Sequence, residues 1–271
     1  QLESGGMRRY IKDLKPTRLE DIIAMISLYR PGPMEWIPQY IKSKHNPESV
    51  RYLHPHFEKI LKETNGVAIY QEQILQIVRE FAGFSLGEAD ILRKAVGKKN
   101  PTLLKEQKEK FVKGAIGADH QERFALEVWE KVIEPFAGYG FNKAHAACYA
   151  MISYQTAYLK AHYPTEFMAA LLSADYDNTD RIILEINECE DMSISVLPPS
   201  INESYDNFTV VDKNTIRFGL TAIKGLGKGT IEQLLEVRKN ARFTSLKDFL
   251  QRVPSKLLNK KTIECLAYSG A

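Results

Sequence analysis

Cysteine is scarce in this sequence of 271 residues, which contains three. Cys148, Cys189 and Cys265 lie far apart, form no C-x-x-C pair and are odd in number. This spacing argues against a disulfide framework and against a zinc site built from cysteines. We therefore expect a protein of a reducing, cytoplasmic compartment.

The sequence also lacks an apolar run that approaches membrane-spanning length, and its start does not resemble a signal peptide. We therefore expect no membrane partner. Residues 1–4 read like the middle of a longer protein, and residues 267–271 follow directly on an apolar helical pattern. We interpret the chain as a fragment of a longer protein.

A strong excess of charge of one sign is missing as well. The 37 lysines and arginines nearly balance the 34 acidic residues, which leaves a formal charge of +3. Because this excess is too small to indicate nucleic-acid binding, any basic surface has to be local. The hydrophobic fraction of 44% is ordinary for a folded protein with a sizeable core.

Several catalytic motifs are absent: a Walker loop, a Gly-x-Ser-x-Gly elbow and an H-x-x-x-H pair. The Asp-x-Asp pair, Asp175 and Asp177, falls in a polar turn, whereas two-metal catalysis needs carboxylates on rigid elements. We interpret Asp175 and Asp177 as a solvated turn and residues 54–56 (HPH) as another turn, each with a metal site as the second interpretation. We interpret Glu72 as a helix cap. The sequence therefore predicts no catalytic residue and no metal ligand in this chain.

The apolar pattern of residues 1–172 predicts a helical region. Capping boxes, in which a hydroxyl and a carboxylate each pair with a backbone N–H, are predicted at residues 17–20 (TRLE) and 85–88 (SLGE). A long helix is predicted from about residue 143 to Tyr163, because Pro164 stops it.

The pattern changes after residue 172. We predict that residues 173–207 form a connecting turn, a short helix and a linker, in which residues 196–200 are extended. Residues 208–211 and 215–218 predict two strands of a β-hairpin, and helices follow it. The chain is therefore predicted to be mainly α, with a small α+β module over residues 208–271.

Residues 139–146 (YGFNKAHA) combine an aromatic ring, an amide, a cation and an imidazole at the start of the predicted long helix. Backbone N–H groups at such a start point outward unpaired and attract anions. We predict that Lys143 and His145 hold a phosphate and that Tyr139 stacks on a base or sugar. The alternative interpretation is that Asn142 caps the helix and His145 is an ordinary surface residue.

A second basic cluster comprises Arg93, Lys94, Lys98 and Lys99 at the end of another predicted helix. Cations in a last turn can simply complement the helix dipole, which is the structural alternative. Four cations within seven residues exceed what that role needs, so phosphate contact is the functional interpretation.

A third candidate lies at residues 220–231 (LTAIKGLGKGTI), where apolar residues at helical spacing flank a Gly-x-Gly turn. This pattern is typical of a helix-hairpin-helix. Gly225 and Gly227 let the backbone approach a nucleic-acid phosphate, and Lys224 and Lys228 add charge. The alternative is an ordinary turn between two helices. Residues 258–263 (LNKKTI) are a possible degenerate partner of this hairpin.

Taken together and in this order, the motifs resemble those of the C-family of bacterial replicative DNA polymerases, the alpha subunits of DNA polymerase III. The resemblance covers nearly the whole chain. Its carriers are residues 1–4 (QLES), 29–33 (YRPGP), 70–73 (YQEQ), 89–94 (ADILRK), 97–99 (GKK), 139–146 (YGFNKAHA), 154–160 (YQTAYLK) and 216–220 (IRFGL) with the hairpin after them.

The resemblance implies that residues 1–172 are a helical fingers domain, which caps the incoming nucleotide. It implies that the helix-hairpin-helix grips duplex DNA without reading its sequence. The candidate dNTP-binding residues are Arg30, Arg93, Lys94, Tyr139, Asn142, Lys143 and His145. The candidate DNA-backbone residues are Lys98, Lys99, Lys224, Gly225, Gly227 and Lys228.

The resemblance also implies that the catalytic aspartates and their Mg²⁺ ions belong to a palm domain outside this chain. Primer-template DNA and dNTP are the expected partners, and the sliding clamp and other replisome subunits are expected to bind regions outside the chain. The isolated chain is therefore predicted to be inactive. Two alternatives stay open: a standalone, non-enzymatic DNA-binding module, and a helical scaffold whose charges are only solvated.

Overall fold

The computed structural model describes residues 1–97, 101–136 and 140–271, and these form two compact units, residues 1–155 and 156–271. The chain is mainly helical with one small sheet, which confirms the predicted fold class. The functional boundaries predicted at residues 172 and 207 stay predictions. None of the described helices is both long enough and apolar enough to cross a bilayer.

The first unit is built from helices that are joined by short turns, by 3-10 segments and by a π-helical segment, Trp129–Ile133. Its helices are α1 (Gly5–Leu14), α2 (Leu19–Leu28), α3 (Ile37–His45), α4 (Pro55–Leu61), α5 (Gln71–Ala82), α6 (Leu86–Gly97), α7 (Pro101–Gly117), α8 (Glu122–Val128), α9 (Glu134–Phe136) and the larger part of α10 (Lys143–His162). The observed bounds of α10 confirm the long helix predicted from the sequence.

The second unit contains the end of α10, further helices and a sheet of three short strands. Its other elements are α11 (Pro164–Ala174), α12 (Thr179–Asp191), β1 (Ser195–Leu197), β2 (Thr209–Asp212), β3 (Thr215–Arg217), α13 (Lys228–Asn240), α14 (Leu246–Arg252) and α15 (Lys260–Tyr268). Strands β2 and β3 form the predicted antiparallel hairpin, with Val210 opposite Ile216.

Strand β1 was not expected, because residues 196–200 were predicted to be an extended linker. Residues Ser195–Leu197 instead pair in parallel with β3, so that Val196 lies opposite Ile216 and the strand order is β1-β3-β2. Three extended residues can form either a linker or an edge strand. The local sequence does not distinguish the two, because the pairing strand β3 begins 20 residues later, at Thr215.

The two predicted capping boxes had different outcomes. At the start of α6, the Ser85 N–H donates to the Glu88 carboxylate at 2.7 Å and the Glu88 N–H donates to the Ser85 hydroxyl at 3.3 Å, which confirms that box. The box at residues 17–20 was wrong. The Thr17 N–H donates to the carboxylate of Asp21 at 2.9 Å, one residue beyond the expected Glu20.

Each unit has its own hydrophobic cores. In the first unit, one core packs α4 to α9 around Phe81, Phe111 and Trp129. The other packs α1, α2 and α3 against residues 67–70 and against Ala146 of α10. The beginning of α10 is therefore seated on a buried surface that contains the ring of Tyr70, and this fixes the surroundings of the first candidate site.

Candidate nucleic-acid interface

The segment that precedes α10 is held by the segment that precedes α5. The Phe141 N–H donates to the Ile69 carbonyl at 3.1 Å, and the Gln71 N–H donates to the Phe141 carbonyl at 2.9 Å. The Gln71 side-chain amide donates to the Gly140 carbonyl at 3.0 Å. A Cβ added at Gly140 would lie 1.9 Å from the ring of Phe136, so this position requires glycine. The two helix starts are thus fixed side by side.

Two backbone N–H groups in the first turn of α10 are already paired, contrary to the expectation that they point outward unpaired. The His145 N–H donates to the side-chain oxygen of Asn142 at 2.8 Å. The Lys143 N–H donates to both carboxylate oxygens of Glu72, at 3.2 and 3.3 Å. Asn142 therefore caps the helix, and its contact with a nucleotide stays a prediction.

The Lys143 side chain is engaged within the protein. Its ammonium lies 2.7 Å from the carboxylate of Glu63, and both side chains are about one-third exposed, at 38% and 35%. The same ammonium lies 5.5 Å from the centre of the Tyr70 ring, a cation–π distance. The cation predicted from the sequence thus has a counter-ion that comes from a distant part of the chain.

Arg30 and His145 lie against one aromatic ring. The Arg30 guanidinium is 4.0 Å from the centre of the Phe141 ring, and the His145 ring is 5.5 Å from it. Burial lowers the pKa of Arg30 from its usual value, although the group remains a cation. The structure therefore brings together Arg30, Asn142, Lys143 and His145 around the short bridge that pairs Tyr70 with Phe141.

Arg93 and Lys94 lie on α6, which packs into the other core of the first unit. Both are ion-paired with Asp90 on the same helix, at 2.8 Å each. The hydrogen bonds from Lys94 and then Arg93 lower the pKa of Asp90 below its usual range. The predicted sites at Tyr139, Lys98 and Lys99 lie outside the described residues.

The two glycines of the Gly-x-Gly turn in the second unit differ in conformation, because Gly225 is left-handed and Gly227 is extended, with φ −76° and ψ 145°. Gly225 has a φ of +91°, which disfavours other residues, and Gly227 directly precedes α13. Lys224 and Lys228 are exposed on either side of the turn. The element before the turn is only a single 3-10 turn, Leu220–Ala222, rather than the full helix that the apolar spacing predicted.

The possible partner hairpin at residues 258–263 packs directly on this turn. The Cys265 thiol donates to the Lys224 carbonyl at 3.3 Å. A Cβ added at Gly225 would lie 3.0 Å from the Cys265 sulfur and 3.3 Å from Cε of Lys261. Asn259 caps α15 by accepting from the Thr262 N–H at 3.0 Å. The two turns therefore lie side by side and present the cations of both.

Sequence reasoning missed Glu63 and assigned Glu72 only a capping role. Glu72 does act as a cap, but at the start of α10, 71 residues later in the chain. No local pattern marks either residue as a partner of Lys143.

Among the described residues, no group of three or more histidines, cysteines or acidic residues has the arrangement of a metal site. The turn predicted at residues 54–56 was wrong, because Pro55 and His56 begin α4 and His54 caps this helix by accepting from the His56 N–H at 3.3 Å.

Family models match both units. The model of the bacterial DNA polymerase III alpha subunit finger domain matches residues 1–119, and a helix-hairpin-helix model matches residues 193–271. DNA polymerase III subunit alpha of Thermus aquaticus is 50% identical over 100% of this chain and 22% of its own length. The proteins of the same name from Borreliella burgdorferi and Vibrio cholerae are 45% and 44% identical, each over 24% of its length. The chain spans less than a quarter of these relatives.

Proposed function

The chain belongs to the bacterial DNA polymerase III alpha subunit family, and on this basis we propose that it works as the finger and helix-hairpin-helix part of a DNA-directed DNA polymerase. In such an enzyme the primer 3′-hydroxyl attacks the α-phosphate of a dNTP, and the bond to the β-phosphate breaks with release of pyrophosphate. Two Mg²⁺ ions, held by carboxylates outside this chain, would supply charge stabilisation. The residues of this chain position the nucleotide and the DNA and neutralise their charge.

The observation that carries the proposed nucleotide site is the gathering of Arg30, Lys143 and His145 around the bridge between Tyr70 and Phe141. Cations that line an aromatic surface suit a ligand with both a polyphosphate and a base. Arg93 and Lys94 are proposed to reach the same triphosphate, and Asn142 and Tyr139 to support the sugar or base.

The proposed DNA contact lies at the hairpin of the second unit. Gly225 and Gly227 are both exposed before α13, and Lys224 and Lys228 flank them. N–H groups in such a turn bond a phosphate without reading the base sequence. The sliding clamp and other replisome subunits would bind the rest of the parent enzyme. We expect this enzyme to be located in the cytoplasm.

Steady-state kinetics of a full-length polymerase that contains this segment test the nucleotide site. His145→Ala and Arg93→Ala are each expected to reduce kcat/KM for dNTP by about 10-fold or more, because each removes a charge-assisted contact to phosphate. His162→Ala, at the other end of α10, is the matched control and should leave the kinetics unchanged. Wild-type kinetics in both site variants would defeat the assignment.

A further inference from the structure

Lys143 is held by two glutamates that come from different elements. Glu63 accepts from the side-chain ammonium at 2.7 Å, and Glu72 accepts from the backbone N–H at 3.2 and 3.3 Å. Both of the groups through which Lys143 could bind an anion therefore already contact a carboxylate. A phosphate ligand of Lys143 therefore competes with the negative charge of at least one of them.

The two carboxylates differ in how firmly they are fixed. Glu72 lies in the first turn of α5 and accepts from the first turn of α10, so the positive ends of two helix dipoles stabilise its charge. The neighbouring bonds of Gln71 to Phe141 and Gly140 hold this part of α5 against α10. Displacing Glu72 would remove its carboxylate from both helix starts and leave the Lys143 N–H without this acceptor.

Glu63, by contrast, contacts Lys143 through a single pair of side-chain atoms. The exposed fraction of the side chain is 35% for Glu63 and 38% for Lys143. Exposed pairs of this kind contribute little net stability, because water solvates the separated charges well. The Tyr70 ring beneath the ammonium stays in place when the carboxylate leaves, so Lys143 remains oriented.

We propose that Glu63 is the exchangeable counter-ion of Lys143, which a polyphosphate displaces on binding while Glu72 keeps its bond to the backbone. This inference rests on the proposed nucleotide site and adds a competitor to it. Because the ligand competes with the full negative charge of Glu63, a monoanion gains little binding free energy at this lysine. A triphosphate carries more negative charge than the carboxylate that it displaces, and it therefore gains more. Glu63 thereby favours highly charged ligands.

The test uses KM for dNTP in a full-length polymerase that contains this segment. Glu63→Gln removes the competing charge and keeps the size of the side chain, so KM should fall by about two- to five-fold, the range set by an exposed ion pair. Glu127→Gln is the matched control, because Glu127 also forms an exposed pair with a lysine, Lys131, at 2.6 Å. It should leave KM unchanged.

A double-variant cycle separates this local exchange from a general change of charge. In a Lys143→Ala background, Glu63→Gln should no longer alter KM, because the pair it relieves is gone. An unchanged or raised KM in Glu63→Gln, or an equal fall in both backgrounds, would overturn the exchange.

The failure of the inference differs from the failure of the proposed site. If Lys143→Ala and His145→Ala raise KM but Glu63→Gln does not lower it, the nucleotide site stands and the exchange is wrong. If none of the three variants changes KM, the nucleotide site itself is wrong and the exchange falls with it.

Discussion

The pKa values of two buried carboxyl groups, Asp21 and Glu185, are shifted in opposite directions. Burial raises the pKa of Asp21, but the Thr17 N–H, the Arg18 guanidinium and the Lys44 ammonium outweigh burial and lower the pKa below its usual value. Burial first, and then the adjacent carboxylate of Asp175, raise the pKa of Glu185 to about 7, although the Arg181 guanidinium opposes this shift. Asp21 is therefore charged at neutral pH, whereas Glu185 is close to its midpoint.

The raised pKa of Glu185 predicts a pH dependence of the second unit. A carboxyl whose pKa is higher in the folded state stabilises the fold fully below its unfolded pKa, near 4.5, and loses this contribution as pH rises through about 7. Between pH 5 and pH 8, α12 should lose about 1–3 kcal/mol of opening free energy. Glu185→Gln, which mimics the protonated form, should lose less over this range.

Amide hydrogen exchange in α12, corrected for the intrinsic rate at each pH, measures this difference. Glu188→Gln is the control on the same helix, because Glu188 forms an exposed pair with Lys160. It should keep the pH dependence of the wild type. Parallel pH curves for Glu185→Gln and wild type would contradict the prediction.

At the residue scale, the sequence predicted the charges of the candidate site but not their partners. Lys143 and His145 stand out in the sequence, since they occupy the start of a recognisable helix. Glu63 lies 80 residues before Lys143, and the pairing of the segments around Tyr70 and Phe141 brings the two together. The role of Asp21 was missed for a related reason, because its partners Tyr40 and Lys44 belong to another helix.

At the scale of elements, local signals predicted what local interactions decide. The Ser85–Glu88 box and the length of α10 depend on residues close in sequence, and both were predicted correctly. The short strand β1 depends on pairing with β3, and the box at residues 17–20 failed because Asp21 competes for the same N–H. The error at β1 therefore marks a tertiary pairing that the local sequence does not show, whereas the error at residues 17–20 is a choice between two neighbouring carboxylates of the same helix.

The close contact between α5 and α7 makes a prediction about two glycines of one helix. A Cβ added at Gly114 would lie 2.2 Å from the backbone carbonyl oxygen of Ala82, which cannot move without shifting α5. Gly114→Ala should therefore destabilise the first unit by about 1–3 kcal/mol, despite the better helix propensity of alanine. Gly117→Ala, where an added Cβ meets no described atom within 4 Å, should be neutral or slightly stabilising.

Urea unfolding followed by tryptophan fluorescence suits this comparison, because both tryptophans, Trp36 and Trp129, belong to the first unit. A Gly114→Ala variant as stable as Gly117→Ala would show that α5 and α7 can separate without loss of packing energy, and the tight contact would then not limit stability.

At the scale of the whole molecule, a formal charge of +3 cannot by itself attract DNA strongly. Binding has to come from local groups, and the cationic turns at Gly225 and Lys261 provide such a place in the second unit. This separates the open alternatives by location. A DNA-binding segment loses affinity when the hairpin changes, whereas a scaffold with merely solvated charges has no affinity to lose.

We expect the chain to bind duplex DNA with an affinity that falls steeply between about 50 and 200 mM salt, as phosphate contacts require.

Gly227 has φ −76° and ψ 145°, so alanine fits its backbone, and an added Cβ meets only Thr230 Oγ1, at 4.0 Å. Gly227→Ala should keep the fold but hinder the approach of a phosphate, and should weaken binding by about 10-fold. Gly229→Ala, two residues further along, is the control, and its affinity should stay within about two-fold of the wild type because Gly229 lies beyond the turn. Fluorescence anisotropy measures the affinity of each variant. If the wild-type chain does not bind at the lowest salt, the scaffold interpretation is favoured. If Gly229→Ala weakens binding as much as Gly227→Ala, the hairpin turn is not the contact.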